Sequence, residues 1–157
     1  LVPQVVDAVS IPVIAAGGIA DGRGFAAARM LGAQAVQVGT RFVVSKECVV
    51  HPRYKQQILR AKDIDSVVTG RSGGHPVRAL RNKMSREYLR REQAGCEFEE
   101  LESLTVGALR KAVVDGDVDY GTLMAGQIAG MIQEEKSCRE IIEGMMDEAE
   151  SLMNRAW

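Results

Sequence analysis

The spacing of apolar residues changes twice within the first forty positions of the chain. Valines recur every three or four positions at the start, at Val2, Val5, Val6 and Val9. This spacing predicts the end of an amphipathic helix over residues 2–9. Residues 11–16 are continuously apolar, which predicts a strand buried on both faces. A helix over 22–31 and a second strand over 35–38 follow after short connections, so the order predicts an α/β fold with parallel strands.

Both predicted strands end in glycine. Gly17 and Gly18 follow the first strand, and Gly39 with Thr40 follows the second, one strand-plus-helix repeat later. Glycine lets the backbone approach a phosphate closely because it has no Cβ, and a helix that starts just beyond adds partial positive charge. A pair of glycines after one strand is often only a tight turn. The second glycine end makes phosphate binding the favoured interpretation, as in the loops after strands 7 and 8 of a (β/α)8 barrel.

Capping residues define where two of the predicted helices begin. Asp21 is the expected N-cap of the second helix, and Gly32 is its expected stop. Near the C-terminus, Ser137 is followed three positions later by Glu140, which predicts a capping box. The sequence therefore predicts a final amphipathic helix over 137–157.

The middle of the chain mixes helices, loops and short apolar runs. His51 and Pro52 start a charged helix, and we interpret His51 as a structural residue there. Residues 67–76 are first strand-like and then rich in glycine, as in a turn. A strongly basic helix is predicted over 77–94, and an apolar helix rich in small residues over 121–135.

Composition excludes several functional classes. The 157 residues are 46% hydrophobic with a formal net charge of −1, so the chain has no electrostatic footprint for nucleic acid or a membrane. No apolar run approaches the roughly 20 residues of a membrane helix, and no signal peptide is recognisable. Three widely spaced cysteines form no CxxC pair, which indicates reduced thiols in a cytoplasmic protein. The chain begins at Leu1 inside a helical pattern, and we expect it to be part of a larger protein.

Three stretches resemble one known family. Residues 11–42, IPVIAAGGIADGRGFAAARMLGAQAVQVGTRF, resemble the late-barrel motif of the nitronate monooxygenase and enoyl-acyl-carrier-protein reductase II family. Residues 69–84, TGRSGGHPVRALRNKM, are similar to the family's post-barrel segment, and residues 117–130, DVDYGTLMAGQIAG, to its returning helix. The resemblance covers essentially the whole chain.

The resemblance implies a fold class and a division of the chain. The implied fold is α/β, the C-terminal part of a (β/α)8 TIM barrel with strands 7 and 8, followed by a small helical cap and closing helices. Residues 1–50 are expected to form the last strands and helices of a flavin-binding barrel. Residues 51–118 are expected to form a mainly helical cap segment, and residues 119–157 closing helices that pack back on the barrel. The family's catalytic histidine lies in an N-terminal half, so no catalytic residue is expected in this chain.

The resemblance also implies site residues. The flavin phosphate is assigned to the two glycine ends, at Gly17, Gly18, Gly39 and Thr40. Gln127 is expected to hydrogen-bond near the flavin, with plain helix packing as an equal alternative. His75 and Arg78 are candidates for the substrate or nicotinamide entrance. Their alternatives are a loop histidine before a proline and an arginine on a solvated basic helix face.

The implied activity is NAD(P)H-dependent, FMN-containing reduction of trans-2-enoyl-acyl-carrier-protein in bacterial fatty-acid elongation. Residues 107–142 look more like the bacterial enoyl reductase branch than the monooxygenase branch. One alternative is an FMN-dependent nitronate monooxygenase. Another, of a different class, is a non-catalytic fragment active only with its N-terminal half. The implied partners are that half and acyl-carrier protein, while a homodimer and a monovalent cation without assigned ligands stay open.

Overall fold

The first five elements alternate between helix and strand, in a computed structural model that describes residues 1–155. They are α1 (Val2–Ala8), β1 (Ile14–Ala16), α2 (Gly22–Met30), β2 (Ala35–Gln37) and α3 (Thr40–Val43). The strands β1 and β2 pair in parallel, with Ile14 opposite Ala35 and Ala16 opposite Gln37. The predicted α/β order and parallel pairing are therefore confirmed.

The next elements are an antiparallel hairpin surrounded by short helices. They are α4 (Pro52–Arg60), β3 (Ser66–Thr69), β4 (Val77–Leu80), α5 (Lys83–Gln93), α6 (Phe98–Thr105) and α7 (Ala108–Arg110). A π-helical turn, Lys111–Asp115, and a 3-10 helix, Gln127–Met131, follow. The last helix is α8 (Cys138–Met153). In the hairpin, Ser66 lies opposite Leu80 and Thr69 lies opposite Val77.

The chain divides into two compact units. The first compact unit contains Leu1–Cys48 and the chain from Glu135 onward, and the second compact unit contains Val49–Glu134. The division by role into residues 1–50, 51–118 and 119–157 stays a prediction.

The helix predicted over 77–94 is wrong for its first residues, because they form β4. Pairing with β3 satisfies their backbone groups, and Ala79 is buried while Arg78 is only partly buried. The helix α5 starts only after Asn82, whose side chain accepts a hydrogen bond from the Ser85 amide at 2.9 Å. The Ser85 hydroxyl in turn accepts from the Asn82 amide at 2.9 Å, so a capping box fixes the boundary.

The apolar helix predicted over 121–135 is also wrong for most of its length. The amide of Leu80 donates to the carbonyl of Leu123 at 2.9 Å, and Met124 forms a bridge with Ala79. These backbone hydrogen bonds hold the segment extended beside β4. Helix propensity was misleading here because tertiary hydrogen bonds outweigh a weak local preference.

The final helix confirms its predicted cap and packs on α2, but it ends at Met153. Residues 156–157 of the predicted helix lie outside the residues that the structure describes. Ser137 and Glu140 form the reciprocal capping box. One face of α8 is buried, at Ile141, Met145 and Ala149. A Cβ built on Gly22, the first residue of α2, would lie 2.6 Å from the Cβ of Glu148, so glycine permits this close approach of the two helices.

The prediction that residues 11–16 are buried on both faces is wrong for this chain. Only three of them form β1, and within β1 only Ala15 is buried. Ala15 packs in a cluster with Ile19, Ala28 and Ala33, whereas the side chain of Ile14 is 59% exposed. A strand is buried on both faces only when other elements pack on both sides of its sheet. Here β1 and β2 form a two-stranded sheet, and the described residues cover only one of its faces.

Candidate phosphate-binding edge

The parallel register brings the two glycine ends to the same edge of the sheet. Ala16 and Gln37, the last residues of β1 and β2, lie opposite each other. Gly17 and Gly18 follow the first of these residues directly, and Gly39 lies two positions after the second. The adjacency predicted from the sequence is thus present in the backbone.

The backbone at these glycines is open to a ligand. Gly17 and Gly18 have φ angles of +87° and +73°, a left-handed conformation that side chains of L-residues disfavour. A Cβ built on Gly17, Gly18 or Gly39 would meet no heavy atom within 4 Å. Gly39 differs from the other two because its φ is −105°, an angle that any residue adopts. This edge therefore has the free space that close approach of a phosphate requires.

The N-terminus of α2 is already occupied by carboxylates. The amide of Gly24 donates to Asp21 Oδ1 at 3.2 Å, which confirms the predicted N-cap, and the amide of Gly22 donates to Glu148 Oε2 at 2.7 Å. Burial raises the pKa of Asp21, but hydrogen bonds from Arg23 and Gly24 outweigh it and hold that pKa below its ordinary value. The helix expected to support the anion therefore already carries negative charge at its start.

The second glycine end leads into α3 and a buried arginine. Gly39 is the N-cap residue of α3, and its carbonyl accepts from the Phe42 amide at 2.9 Å. Thr40 is the first residue of this helix, and the next residue, Arg41, is only 8% exposed. Arg41 lines a cavity of about 390 Å³ in the first compact unit, together with Asp21, Glu140 and Glu148. The sequence pattern did not single out Arg41, which directly follows Gly39 and Thr40 in the chain.

The other candidate residues all lie in the second compact unit, whereas the glycine ends belong to the first. Gln127 is exposed at the start of the 3-10 helix in the second compact unit. His75 lies in the turn of the hairpin, with its ring centroid 6.1 Å from that of Phe98. The alternative for Arg78, a place on a basic helix face, is wrong because Arg78 lies in β4. Its Nη1 donates to Ser66 Oγ at 3.0 Å. His75 lines a cavity of about 610 Å³, and Arg78 is not among the residues lining it. The roles assigned to all three residues stay predictions.

Three further features concern metal, redox and membrane chemistry. Within residues 1–155, no three His, Cys, Asp or Glu side chains are grouped as ligands for a metal ion. Cys48, Cys96 and Cys138 are free thiols. Among the described helices, none combines the length and the apolar character needed to cross a bilayer.

The fold and the glycine edge define an α/β protein with a candidate anion site at the carboxyl ends of two parallel strands. A family model described as "Nitronate monooxygenase" matches residues 1–148. The chain belongs to the nitronate monooxygenase family, a family of oxidoreductases.

Curated relatives match nearly the whole chain. A probable nitronate monooxygenase of Staphylococcus saprophyticus is 36% identical over 155 residues, which are 99% of this chain and 43% of the relative. A probable nitronate monooxygenase of Bacillus subtilis is 37% identical over 148 residues, 94% of this chain and 43% of the relative. The chain thus spans less than half the length of these relatives.

Two solved structures are also similar. FabK from Thermotoga maritima is 51% identical with a TM-score of 0.91, over 98% of this chain and 49% of that protein. A nitroalkane oxidase from Streptomyces ansochromogenes is 31% identical with a TM-score of 0.80, over 98% of this chain and 43% of that protein.

Proposed function

We propose that this chain is the C-terminal part of an FMN-dependent (β/α)8-barrel oxidoreductase that reduces trans-2-enoyl-acyl-carrier-protein with NADH or NADPH. In this proposal β1 and β2 are barrel strands 7 and 8, and the chain works in the cytoplasm with an N-terminal half that holds the catalytic histidine. The observation that carries the proposal is the open edge formed by Gly17, Gly18 and Gly39.

The glycine edge fits the phosphate of FMN. Backbone amides at Gly17 and Gly18 can approach phosphate oxygens because no side chain fills the space in front of them. Gly39 leaves the same freedom at the second strand, and Thr40 adds a hydroxyl donor at the start of α3. Bound at this edge, FMN would supply the transfer of a hydride from the nicotinamide to the β-carbon of the enoyl thioester, and a proton drawn from solvent would add at the α-carbon.

Similarity to solved structures favours the reductase. FabK is an FMN-dependent enoyl-acyl-carrier-protein reductase II. Its identity with this chain is 51%, against 31% for the nitroalkane oxidase. Nitronate monooxygenase is the second candidate, and it is favoured by the family model and by the names of the curated relatives. The two candidates share the fold and the flavin and differ in the electron donor.

Exposure of the sheet supports a requirement for the N-terminal half. Ile14 in β1 is 59% exposed, although strands of parallel sheets are normally covered on both faces. A chain without its other half would expose this face and the strand edges. The third candidate is a non-catalytic fragment that is active only with its N-terminal half. In this proposal it applies to the chain in the absence of that half.

The visible absorption spectrum of the chain assembled with its N-terminal half tests the proposal. We expect a flavin band that bleaches promptly when NADH or NADPH is added without oxygen. A band that persists until a nitronate is added would favour the monooxygenase. No flavin band, even with FMN supplied, would overturn the proposal.

A further inference from the structure

The second compact unit contains a cavity of about 610 Å³. Small-molecule sites typically measure roughly 300–1,000 Å³, so its size suits a ligand. The hairpin β3–β4, the helices α5 and α6 and the extended segment at Met124 all contribute to its walls. Three apolar residues in these walls remain partly exposed, with Phe98 at 41%, Leu109 at 42% and Met124 at 42%. An apolar ligand in the cavity would remove these surfaces from water.

Three buried hydroxyl groups line the same cavity without hydrogen-bond partners. Thr69, Tyr88 and Thr122 are 9%, 5% and 8% exposed. Within residues 1–155, no hydrogen bond is formed by any of these three side-chain oxygens. No fully enclosed side-chain oxygen of the described part lacks a partner, so each of these three oxygens keeps some accessible surface, and all three residues line the cavity. Hydroxyls in mostly buried side chains are normally paired, so three of them around one space offer hydrogen bonds to a ligand that enters the cavity.

The charges around the cavity favour a neutral ligand. The described residues that line it include no lysine or arginine, and Glu102 is its one carboxylate. Burial raises the pKa of Tyr88, and the charges of Glu92 and Glu102 add to this effect, so its hydroxyl remains a proton donor at neutral pH. A phosphate or carboxylate would find no lysine or arginine as a countercharge among the described lining residues. This disfavours a nicotinamide nucleotide and suits an uncharged acyl chain.

We propose that this cavity binds the acyl chain of the thioester substrate and thereby sets chain-length preference. The alkyl chain packs against Met84, Leu109 and Met124, and the hydroxyls of Thr69, Tyr88 and Thr122 hold the oxygen of its thioester end. This inference rests on the proposed function, because it takes the thioester as the substrate. His75 lies at the turn bordering the cavity.

Neutral enoyl thioesters of N-acetylcysteamine test the inference. The chain assembled with its N-terminal half and FMN is supplied with crotonyl, octenoyl and dodecenoyl thioesters. We expect KM to fall about fourfold for each added methylene that the cavity buries. Binding of the saturated dodecanoyl thioester is measured separately by calorimetry, which does not depend on turnover.

Matched variants locate the effect in the cavity. Leu109→Trp narrows it, and we expect KM for the dodecenoyl thioester to rise at least about tenfold more than KM for the crotonyl thioester. Val106→Trp is the control, because Val106 is 71% exposed and does not line the cavity. Tyr88→Phe keeps the ring but removes the hydroxyl. It should raise KM for the dodecenoyl thioester and the calorimetric Kd of the dodecanoyl thioester about fivefold. Thermal melting confirms that each variant is folded.

The possible results separate this inference from the proposed function. If enoyl thioesters are reduced but KM is independent of chain length and of Leu109→Trp, the cavity does not hold the acyl chain. If no thioester is reduced but the dodecanoyl thioester binds and Leu109→Trp weakens its binding, the cavity assignment stands and the reductase proposal fails. Absence of calorimetric binding overturns the cavity assignment.

Discussion

Glu140 shows how one side chain can organise the start of a helix. Its Oε2 atom accepts hydrogen bonds from the amide of Ser137 at 2.6 Å and from the Ser137 hydroxyl at 2.7 Å. Lys46 Nζ donates to the same oxygen at 3.2 Å. The backbone and side-chain hydrogen bonds from Ser137, followed by that from Lys46, lower the pKa of Glu140 to about 2. The charged form is therefore the form that the native fold stabilises.

The titration of Glu140 gives a test at this scale. Its pKa is lowered from an ordinary value of 4.5 to about 2. Its contribution to stability should be complete above the ordinary value and disappear as the pH falls through about 2. Side-chain carboxyl NMR should find this low midpoint, and Ser137→Ala should raise it. Ser103→Ala is the control, because the Ser103 hydroxyl donates to the Glu100 carbonyl in another helix. A native midpoint for Glu140 near 4.5 would contradict the capping geometry.

Single residues were predictable where their partners are close in sequence. Asp21 and Ser137 cap their helices as expected, because each bonds an amide three positions away. The partner of the Gly22 amide is Glu148, 126 positions away, and no local pattern indicates it. The burial of Arg41 likewise depends on the folded unit and not on its neighbours in the chain.

At the scale of elements, α2 and α8 pack without room for an added methyl group at Gly22. A Cβ there would lie 2.6 Å from the Met145 carbonyl oxygen and 2.7 Å from the Ala149 amide nitrogen. Both neighbours are backbone atoms of α8, so relief requires movement of a whole helix. Gly144 in α8 is different, because a Cβ there would meet no heavy atom within 4 Å.

Alanine at these two glycines should have opposite effects. We expect Gly22→Ala to lower the free energy of unfolding by about 1–3 kcal/mol through overpacking. Gly144→Ala should raise it by about 0.5–1 kcal/mol, because alanine favours helix over glycine. Urea denaturation of the chain assembled with its N-terminal half measures both values. Equal effects of the two substitutions would show that α2 and α8 do not pack this closely.

Elements were predictable where hydrophobic periodicity and caps agree. β1, α2, β2 and α8 combine short apolar runs or a helical repeat with a glycine or capping boundary, and all four are present. The sequence predicts helices both at β4 and at the extended segment around Met124, and both predictions are wrong. Their conformation depends on pairing with β3 and on the hydrogen bond from Leu80 to Leu123, which are tertiary contacts that local sequence does not encode.

At the scale of the whole molecule, apolar surface remains uncovered. Ile14, Ile142 and Met146 are 59%, 52% and 52% exposed, and the chain spans less than half of its curated relatives. In the proposed function, an N-terminal half covers part of this surface. The glycine edge was predictable because it needs only two neighbouring strands, whereas the relation of Gln127 to that edge depends on how two units meet and stays a prediction.

Affinity for FMN is the measurement to make at the glycine edge, using two matched alanine variants. Gly39 and Gly144 both have open space at the Cβ position and no positive φ, so neither substitution strains the backbone. In the chain assembled with its N-terminal half, Gly39→Ala should weaken FMN binding about tenfold or more, as expected for a disturbed charge-assisted hydrogen bond. Gly144→Ala should leave the affinity unchanged. If Gly39→Ala binds FMN as tightly as the unmodified protein, the glycine edge is not the phosphate site.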